Sequence, residues 1–245
     1  MVKHFGPGQC IHCRRNFENL TSDHVFPLSW YPDSTPLTLE KWQAPACEAC
    51  NAGHGKAERR LLQSLALGTD PWVAGAMGVG EKALRSIDPR AAKTKKDQQE
   101  RQKAQDKFRR ETKHASAIPG GDVLPNIGTI VPTDERGYVM GKVSAADVEL
   151  LVRKIVRGIT YLRTGQVIPD HYEIMVIPPS KIHKLPESWL QTSREIFERL
   201  PGFRVDRHYD PDDLFVAFFR IFIWERYEFC AIVTNSLFRP EPTAG

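Results

Sequence analysis

Two stretches of the chain carry hydrophobic residues at the spacing of an amphipathic helix. From Cys50 to Leu67 such residues recur every three or four positions, which predicts a helix. The stretch from Ser144 to Arg163 has the same spacing, and Asp147 follows Ser144 by three residues, as in a helix-capping arrangement. Weaker patterns predict two more helices, at Glu81–Ile87 and Glu187–Leu200.

The last third of the chain has the alternation of hydrophobic and polar residues that is typical of strands. It predicts strands over His171–Ile177, Arg204–His208, Leu214–Trp224 and Tyr227–Thr234. The last two are separated only by Glu225 and Arg226, so a tight turn should make them antiparallel. Together with the helix at Ser144, these strands predict a small α+β domain with an antiparallel sheet.

A charged stretch separates this domain from the N-terminal part. Between Asp88 and Lys113 there are ten Lys or Arg and five Asp or Glu, with almost no hydrophobic residues. Such a stretch is either an exposed helix or partly disordered, and its charges are most simply a solvated face. We therefore predict three parts: an N-terminal module over 1–67, a helical, charge-rich linker over 68–125 and a C-terminal domain over 126–245.

Composition fits a protein with a buried core and a phosphate-binding partner. Hydrophobic residues make up 41% of the chain, and the formal net charge is +4. The sequence has no secretion signal, and its longest hydrophobic run, Leu214–Trp224, is interrupted by Arg220. We expect a cytoplasmic protein with no membrane partner.

Four of the five cysteines form two C-x-x-C pairs. They are Cys10 with Cys13 and Cys47 with Cys50. In a reducing compartment, two such pairs in a short segment are typical of a structural zinc site, because four thiolates complete a tetrahedral shell. The fifth, Cys230, lies in a hydrophobic strand and is interpreted as a core residue.

The residues between and after these pairs resemble a known family. Asp23 and His24 lie between the pairs, Asn51 follows the last cysteine directly, and His54 comes three residues later. This order resembles the HNH, or ββα-metal, endonucleases, and among them the branch that is stapled by four zinc cysteines. The resemblance covers about the first quarter of the chain.

The resemblance implies a role for each matching residue. Asp23 and Asn51 would be ligands of a catalytic divalent metal, and His24 the general base. His54, one helical turn beyond Asn51, would be a supporting catalytic or metal-binding residue. The implied activity is hydrolysis of phosphodiester bonds in nucleic acid, with DNA as the expected substrate and magnesium or manganese as the catalytic metal.

The chemistry of these side chains agrees with those roles. Histidine ionises near neutral pH and so suits proton abstraction, and a sparse set of oxygen ligands leaves room for phosphate on a hard cation. The family's middle Asn is missing, because Trp42 occupies its position. Its task is to pin the loop that carries the base, and Gln43 is the neighbouring candidate for that task.

Cations on the predicted first helix are candidates for contacts with nucleic acid. Lys56, Arg59 and Arg60 lie on its first turns, where a phosphate would also meet the positive end of the helix dipole. The stretch from Arg90 to Lys113 would extend backbone contacts without sequence preference.

Other functions compete with cleavage. The four cysteines also suit a zinc ribbon that binds nucleic acid or protein without cutting. The C-terminal domain would then be a sensor or a docking site for a protein partner. The whole chain also suits an effector of a phage-defence or mobile-element system. His12, inside the first C-x-x-C pair, is interpreted as exposed.

Overall fold

Short strands and one long helix form the N-terminal part. The computed structural model describes residues 4–69, 72–114, 139–141, 143–178 and 193–236. The strands are β1 (His4–Phe5), β2 (Gly8–Gln9), β3 (Asn16–Phe17), β4 (Leu20–His24) and β5 (Gln43–Ala46). Strands β1, β4 and β5 form an antiparallel sheet in the order β1-β4-β5, and β2 pairs with β3.

Three helices follow, close to their predicted positions. They are α1 (Glu48–Leu65), α2 (Val79–Ile87) and α3 (Lys95–Glu111). Helix α1 begins directly after β5 and buries the hydrophobic face that its spacing predicts, including Leu61 and Leu65. Helix α3 forms most of the charged stretch, so the exposed-helix interpretation holds for Lys95–Glu111. Single 3-10 turns lie at Leu28–Trp30, Ala66–Gly68, Ala74–Ala76 and Pro89–Ala91.

Helix α4 (Ala145–Thr164) is the central helix of the C-terminal half. Its cap is as predicted, because the Ser144 hydroxyl accepts a hydrogen bond from the Asp147 backbone N–H. It ends at Gly165, which has the left-handed conformation (φ 70°) that glycine adopts at little cost. Among the helices in the described ranges, none is both long and hydrophobic enough to cross a membrane.

An antiparallel sheet of five strands packs against α4. Its strands are β8 (Tyr172–Ile177), β9 (Ser193–Arg199), β10 (Phe203–Tyr209), β11 (Ala217–Ile223) and β12 (Tyr227–Asn235), in the order β8-β12-β11-β10-β9. A separate pair, β6 (Thr112–His114) and β7 (Val139–Gly141), joins the end of α3 to the region before α4. The mixed helix-and-sheet class and the four predicted strands of the C-terminal sheet are confirmed.

The predicted helix over Glu187–Leu200 is wrong from Ser193 onward. Those residues form the edge strand β9, which pairs with β10 along its whole length. Glu195 and Phe197 turn inward, whereas Arg194 and Ile196 are exposed, as the alternation of a strand requires. The helix-forming Glu and Arg residues misled the prediction, because pairing with a neighbouring strand outweighs local propensity. Residues 187–192 lie outside the described part of the chain.

One hydrophobic core joins the N-terminal part to the C-terminal sheet. Its members include Val25, Phe26, Trp30, Leu61 and Leu65 from the first part and Val152, Ile155, Phe203, Phe219 and Trp224 from the second. The Trp30 and Trp224 rings lie 5.0 Å apart, and the Trp224 indole N–H donates to the Trp30 carbonyl. The N-terminal part and the sheet are therefore stabilised by burial of the same surface.

Helix α4 approaches strand β4 very closely at Gly158. A Cβ atom at this position would lie 2.7 Å from Val25 Cγ2 and 3.0 Å from Val25 Cγ1. Valine is stiff at χ1, so it has little freedom to move aside. The absent side chain thus sets the distance between α4 and the N-terminal part.

We expect Gly158→Ala to destabilise the protein by about 1–3 kcal/mol, because the methyl group overpacks this contact. The matched control is Gly55→Ala in α1, where a Cβ meets nothing within 4 Å. The control should instead stabilise the helix by up to about 1 kcal/mol. Urea unfolding of both variants measures the difference, and a Gly158→Ala protein at least as stable as the native one would contradict this account of the packing.

Candidate functional site

The four paired cysteines lie together at the junction of the short strands and α1. Cys10 and Cys13 are in the turn between β2 and β3, Cys47 precedes α1, and Cys50 is in its first turn. All four sulfur atoms lie within 4.8 Å of one another, and the Cys13 and Cys47 sulfurs are 3.9 Å apart. Two thiolates on a tetrahedral zinc with bonds of about 2.3 Å are separated by about 3.8 Å. The cluster is therefore positioned to hold a metal such as zinc.

The electrostatics of the cluster also favour a bound cation. Burial raises the pKa of the Cys10 thiol, and burial together with the neighbouring Cys47 raises that of Cys50. At Cys13 burial acts in the same direction, but hydrogen bonds from Arg15 outweigh it and lower the pKa to about 6. At Cys10 and Cys50 burial therefore opposes ionisation, and a metal ion would offset this because it binds the thiolate form.

Asp23, on β4, is buried against the first cysteine pair and α1. Its side chain meets two histidines through one oxygen: Oδ2 lies 2.9 Å from His12 Nε2 and 3.4 Å from His54 Nδ1. Asp23 is 4% exposed, His54 5% and His12 7%. These three residues form a second group whose ligand atoms lie within 4.8 Å of one another. We call it the His12–Asp23–His54 cluster.

The interpretation of His12 as an exposed residue is wrong. Its ring is buried beside Asp23 and 4.2 Å from the His54 ring. Burial is the main reason that the pKa of His12 falls to about 4, although the hydrogen bond to Asp23 acts in the opposite direction. A neutral His12 donates from Nε2 to the carboxylate, which leaves Nδ1 as a bare lone pair. His12 Nδ1 and His54 Nδ1 are both buried without a hydrogen-bond partner.

The third neighbour of Asp23 is a lysine from the other half of the chain. Lys154 of α4 is 2% exposed, and its ammonium lies 2.7 Å from Asp23 Oδ1 and also contacts Glu58 Oε1 of α1. Burial alone would raise the pKa of Asp23, but the hydrogen bond of His12, the neighbouring His54 imidazole and the charge of Lys154 hold it well below its usual range. Neither Lys154 nor Glu58 was among the residues that the sequence pointed to.

His24, next to Asp23 on β4, contacts a different set of residues. It is half-buried, and its Nε2 lies 2.9 Å from the Gln43 amide nitrogen across the β4–β5 pair. Burial, and secondarily the charge of Lys154, lowers its pKa. A neutral ring accepts the Gln43 hydrogen bond at Nε2. Gln43 therefore contacts the predicted base, and the Trp42 carbonyl accepts from the N–H of Val25, directly after that base.

Asn51 joins α1 to β4. Its amide nitrogen donates to the Ser22 carbonyl at 3.1 Å and to the Thr21 hydroxyl at 3.3 Å. Asn51, His54 and Glu58 are spaced i, i+3, i+7 and form one polar stripe on the face of α1 that meets β4 and α4. The structure thus brings Asp23 and His54 into direct contact. It also holds Asn51 of α1 against the strand of Asp23, β4, through the backbone carbonyl of Ser22.

Of the three cations predicted to contact nucleic acid, one is paired with a carboxylate of another helix. Lys56 and Arg59 are exposed on α1. Arg60 instead forms a two-pronged ion pair with Asp147 of α4, at 2.6 and 2.7 Å, and so links the two helices. The pKa of Asp97 in α3 is lowered, first by its hydrogen bond with Arg101 and also by the charge of Arg59 on α1.

Comparison with known proteins gives no relative. No family model matches the chain, and neither a curated protein nor a solved structure matches it at a significant level. The function therefore has to be inferred from the residues and their geometry.

We expect the purified protein to contain one tightly bound zinc per chain, because the four thiolates complete a closed shell. Cys47→Ser should lose this zinc and melt at a lower temperature, since metal binding contributes directly to folding. Cys230→Ala, a buried cysteine outside the cluster, is the control and should retain the metal. Elemental analysis and thermal melting measure both; a zinc-free native protein would contradict the assignment.

Proposed function

We propose that this protein is a metal-dependent endonuclease of the HNH type, which hydrolyses phosphodiester bonds in nucleic acid, with DNA as the expected substrate. The observation that carries the proposal is one juxtaposition. An antiparallel pair, β4–β5, leads directly into α1, and the four-cysteine cluster fixes their relative positions. Asp23 and His24 on β4 then lie against the stripe of α1 that carries Asn51 and His54.

His24 is the proposed general base. A base must be unprotonated to accept a proton from water, and partial burial keeps this histidine neutral at physiological pH. Its lone pair is at Nε2, the atom that Gln43 now contacts. A hydrogen bond there holds the orientation of the ring. Because Nε2 has a single lone pair, the Gln43 hydrogen bond has to be exchanged for one to the attacking water before this atom can accept a proton.

Asp23, His54 and Asn51 are the proposed ligands of a catalytic divalent metal, and His12 adds a fourth candidate. The separations of 2.9 and 3.4 Å at Asp23 Oδ2 match those of neighbouring ligand atoms around one ion with bonds of about 2.1 Å. When bound, such an ion polarises the phosphate and neutralises the leaving oxygen. Two imidazoles beside one carboxylate favour manganese, nickel or zinc over magnesium.

Exposed cations of α1 and α3 are the proposed contacts with the nucleic-acid backbone. Lys56 and Arg59 lie one and two turns beyond Asn51, and α3 extends the positive surface with Lys96, Arg109 and other exposed residues. Phosphate contacts of this kind give affinity and orientation without sequence preference. Arg60 contributes less, because Asp147 neutralises it.

A zinc module that binds nucleic acid or protein without cutting is the second candidate. The observation that favours it is the buried contact of Asp23 with Lys154, which engages the carboxylate that the proposed metal would use. A module without catalysis would need Asp23 only as the partner of that lysine. The two candidates make different predictions for the loss of His24. An endonuclease would lose cleavage, whereas a module that only binds has no cleavage to lose.

We expect His24→Ala to abolish cleavage of plasmid, linear, branched and single-stranded substrates assayed with magnesium, manganese, nickel or zinc. Loss of a general base costs at least about 100-fold in rate, whereas binding of the intact substrate is nearly unchanged. His171→Ala, an exposed histidine at the start of β8, is the matched control. Undiminished cleavage by His24→Ala would remove this residue from the mechanism, and a wild-type protein that binds but never cuts would support the second candidate.

We also expect α3 and its flanks to contribute affinity that depends on salt. Replacing five exposed cations by glutamine should weaken binding and flatten the dependence of affinity on salt concentration, because fewer counterions are released. These five are Lys93, Lys95, Lys96, Arg109 and Arg110. Arg226→Gln, in the exposed turn after β11, is the control for a cation elsewhere. Binding titrations over a range of salt concentrations measure the slope, and an unchanged slope would mean that these cations form only a solvated surface.

A further inference from the structure

We propose that Lys154 is the resident cation of the Asp23 site, so that its ammonium group and a divalent metal bind the same carboxylate in alternation. The inference rests on the proposed function in one respect, that Asp23 is a metal ligand. It adds that the C-terminal half of the chain, through α4, sets the affinity of the site for metal.

Both carboxylate oxygens of Asp23 already have partners in the chain. Oδ1 accepts from Lys154, and Oδ2 faces His12 and His54. A divalent ion at this carboxylate has to share it with an ammonium group 2.7 Å away or to displace that group. An ion held at Oδ2 and the ammonium at Oδ1 would share one carboxylate, where two cations repel and burial weakens the screening by water. Displacement is therefore the expected outcome.

The formal charges around Asp23 favour replacement of the ammonium by a divalent ion. Two carboxylates, Asp23 and Glu58, contact one ammonium, so these three groups have one formal negative charge in excess. A divalent ion in place of the ammonium would bring the sum of these charges to zero. Buried charge that is not compensated is costly, so a divalent ion would remove an imbalance that lysine leaves.

Unused ligand atoms point to the same conclusion. His54 Nδ1 is directed at Asp23 Oδ2 from 3.4 Å, and it is buried without a hydrogen-bond partner. His12 Nδ1 is buried without one as well. Buried polar atoms are satisfied as a rule, so an unpaired His54 nitrogen facing a carboxylate is a feature expected of a site with a further ligand.

The packing of α4 explains why lysine can act as this cation. Lys154 and Gly158 are one turn apart on α4, and they face Asp23 of β4 and Val25, the second residue after it. Because Gly158 has no side chain, α4 lies directly against β4, and the Lys154 side chain is long enough to reach the carboxylate. A long aliphatic stem also gives the ammonium an alternative position when it is displaced.

The test is the affinity for Mn²⁺ of the full-length, zinc-loaded protein, measured by calorimetry and by the electron paramagnetic resonance of free Mn²⁺. Lys154→Met keeps the stem and removes the charge. We expect it to bind Mn²⁺ at least about tenfold more tightly than the wild type, because no ammonium has to be displaced. Arg153→Met, the neighbouring cation that pairs with Glu149 on the surface of α4, is the matched control and should leave the affinity unchanged.

Asp23→Asn in the Lys154→Met background separates the two proposals. If it abolishes Mn²⁺ binding, but Lys154→Met binds no more tightly than the wild type, the resident-cation inference is overturned and the metal site stands. If Mn²⁺ binds equally well without the Asp23 carboxylate, the proposed metal site itself fails. Neither result depends on an assay of cleavage.

Lys154→Met leaves the buried Asp23 and the partly buried Glu58 carboxylates without their cation and therefore risks unfolding. The double variant Lys154→Met/Glu58→Gln removes one of those charges at the same time and keeps Asp23 as the ligand. Its melting temperature should rise more with Mn²⁺ than that of the wild type, since a ligand stabilises the state that binds it. An equal or smaller rise would overturn the inference.

Discussion

A buried ion pair between Asp23 and Lys154 is the interaction on which the arrangement of this protein depends. Moving an isolated charge out of water costs several kcal/mol, so each of these groups is tolerated only because the other is present. The two residues are 131 positions apart, one on β4 and the other on α4. Glu58 of α1 completes the contact. Three elements therefore have to be in place together, and an error in the position of any one leaves a charge uncompensated.

Two further constraints act on the same junction. The four-cysteine cluster fixes the start of α1 relative to the short strands, and Gly158 fixes how closely α4 approaches β4. The common core of Val25, Phe26 and Trp30 with the C-terminal sheet then fills the remaining space. These constraints converge on a few residues around Asp23, so the position of this residue depends on the short strands, α1 and α4 together.

Features that depend on local spacing were predictable from the sequence. Helix α4 and its Ser144 cap, helix α1 and the strands β10 to β12 follow from hydrophobic periodicity, and the cysteine cluster follows from two C-x-x-C pairs. Strand β9 was not predictable in this way, because its Glu and Arg residues favour a helix and only the pairing with β10 makes it a strand. The spacing of residues along the chain does not show which residues distant in sequence will pair.

The same limit explains which site residues the sequence missed. A lysine on an amphipathic helix usually faces solvent, so nothing near Lys154 in the sequence marks it as buried. His12 lies in a short, polar turn, and its burial depends on His54 and Asp23, which other elements supply. Asp23, His24, Asn51 and His54 could be selected because they are close in sequence to the cysteines. Lys154 and Glu58 could be found only once α4 was seen against β4.

The long sequence separations in this structure also bear on how the chain folds. Trp30 and Trp224 are in contact although 194 residues separate them in the sequence. Lys154, the partner of Asp23, is synthesised much later than Asp23 itself. Contacts of this kind require large loops to close before any stabilisation is gained, so they slow folding. A nascent chain that has emerged only as far as α1 carries Phe26 and Trp30 without the surfaces that bury them. Until α4 and the final strands are made, its first segment presents a hydrophobic surface of the kind that chaperones bind.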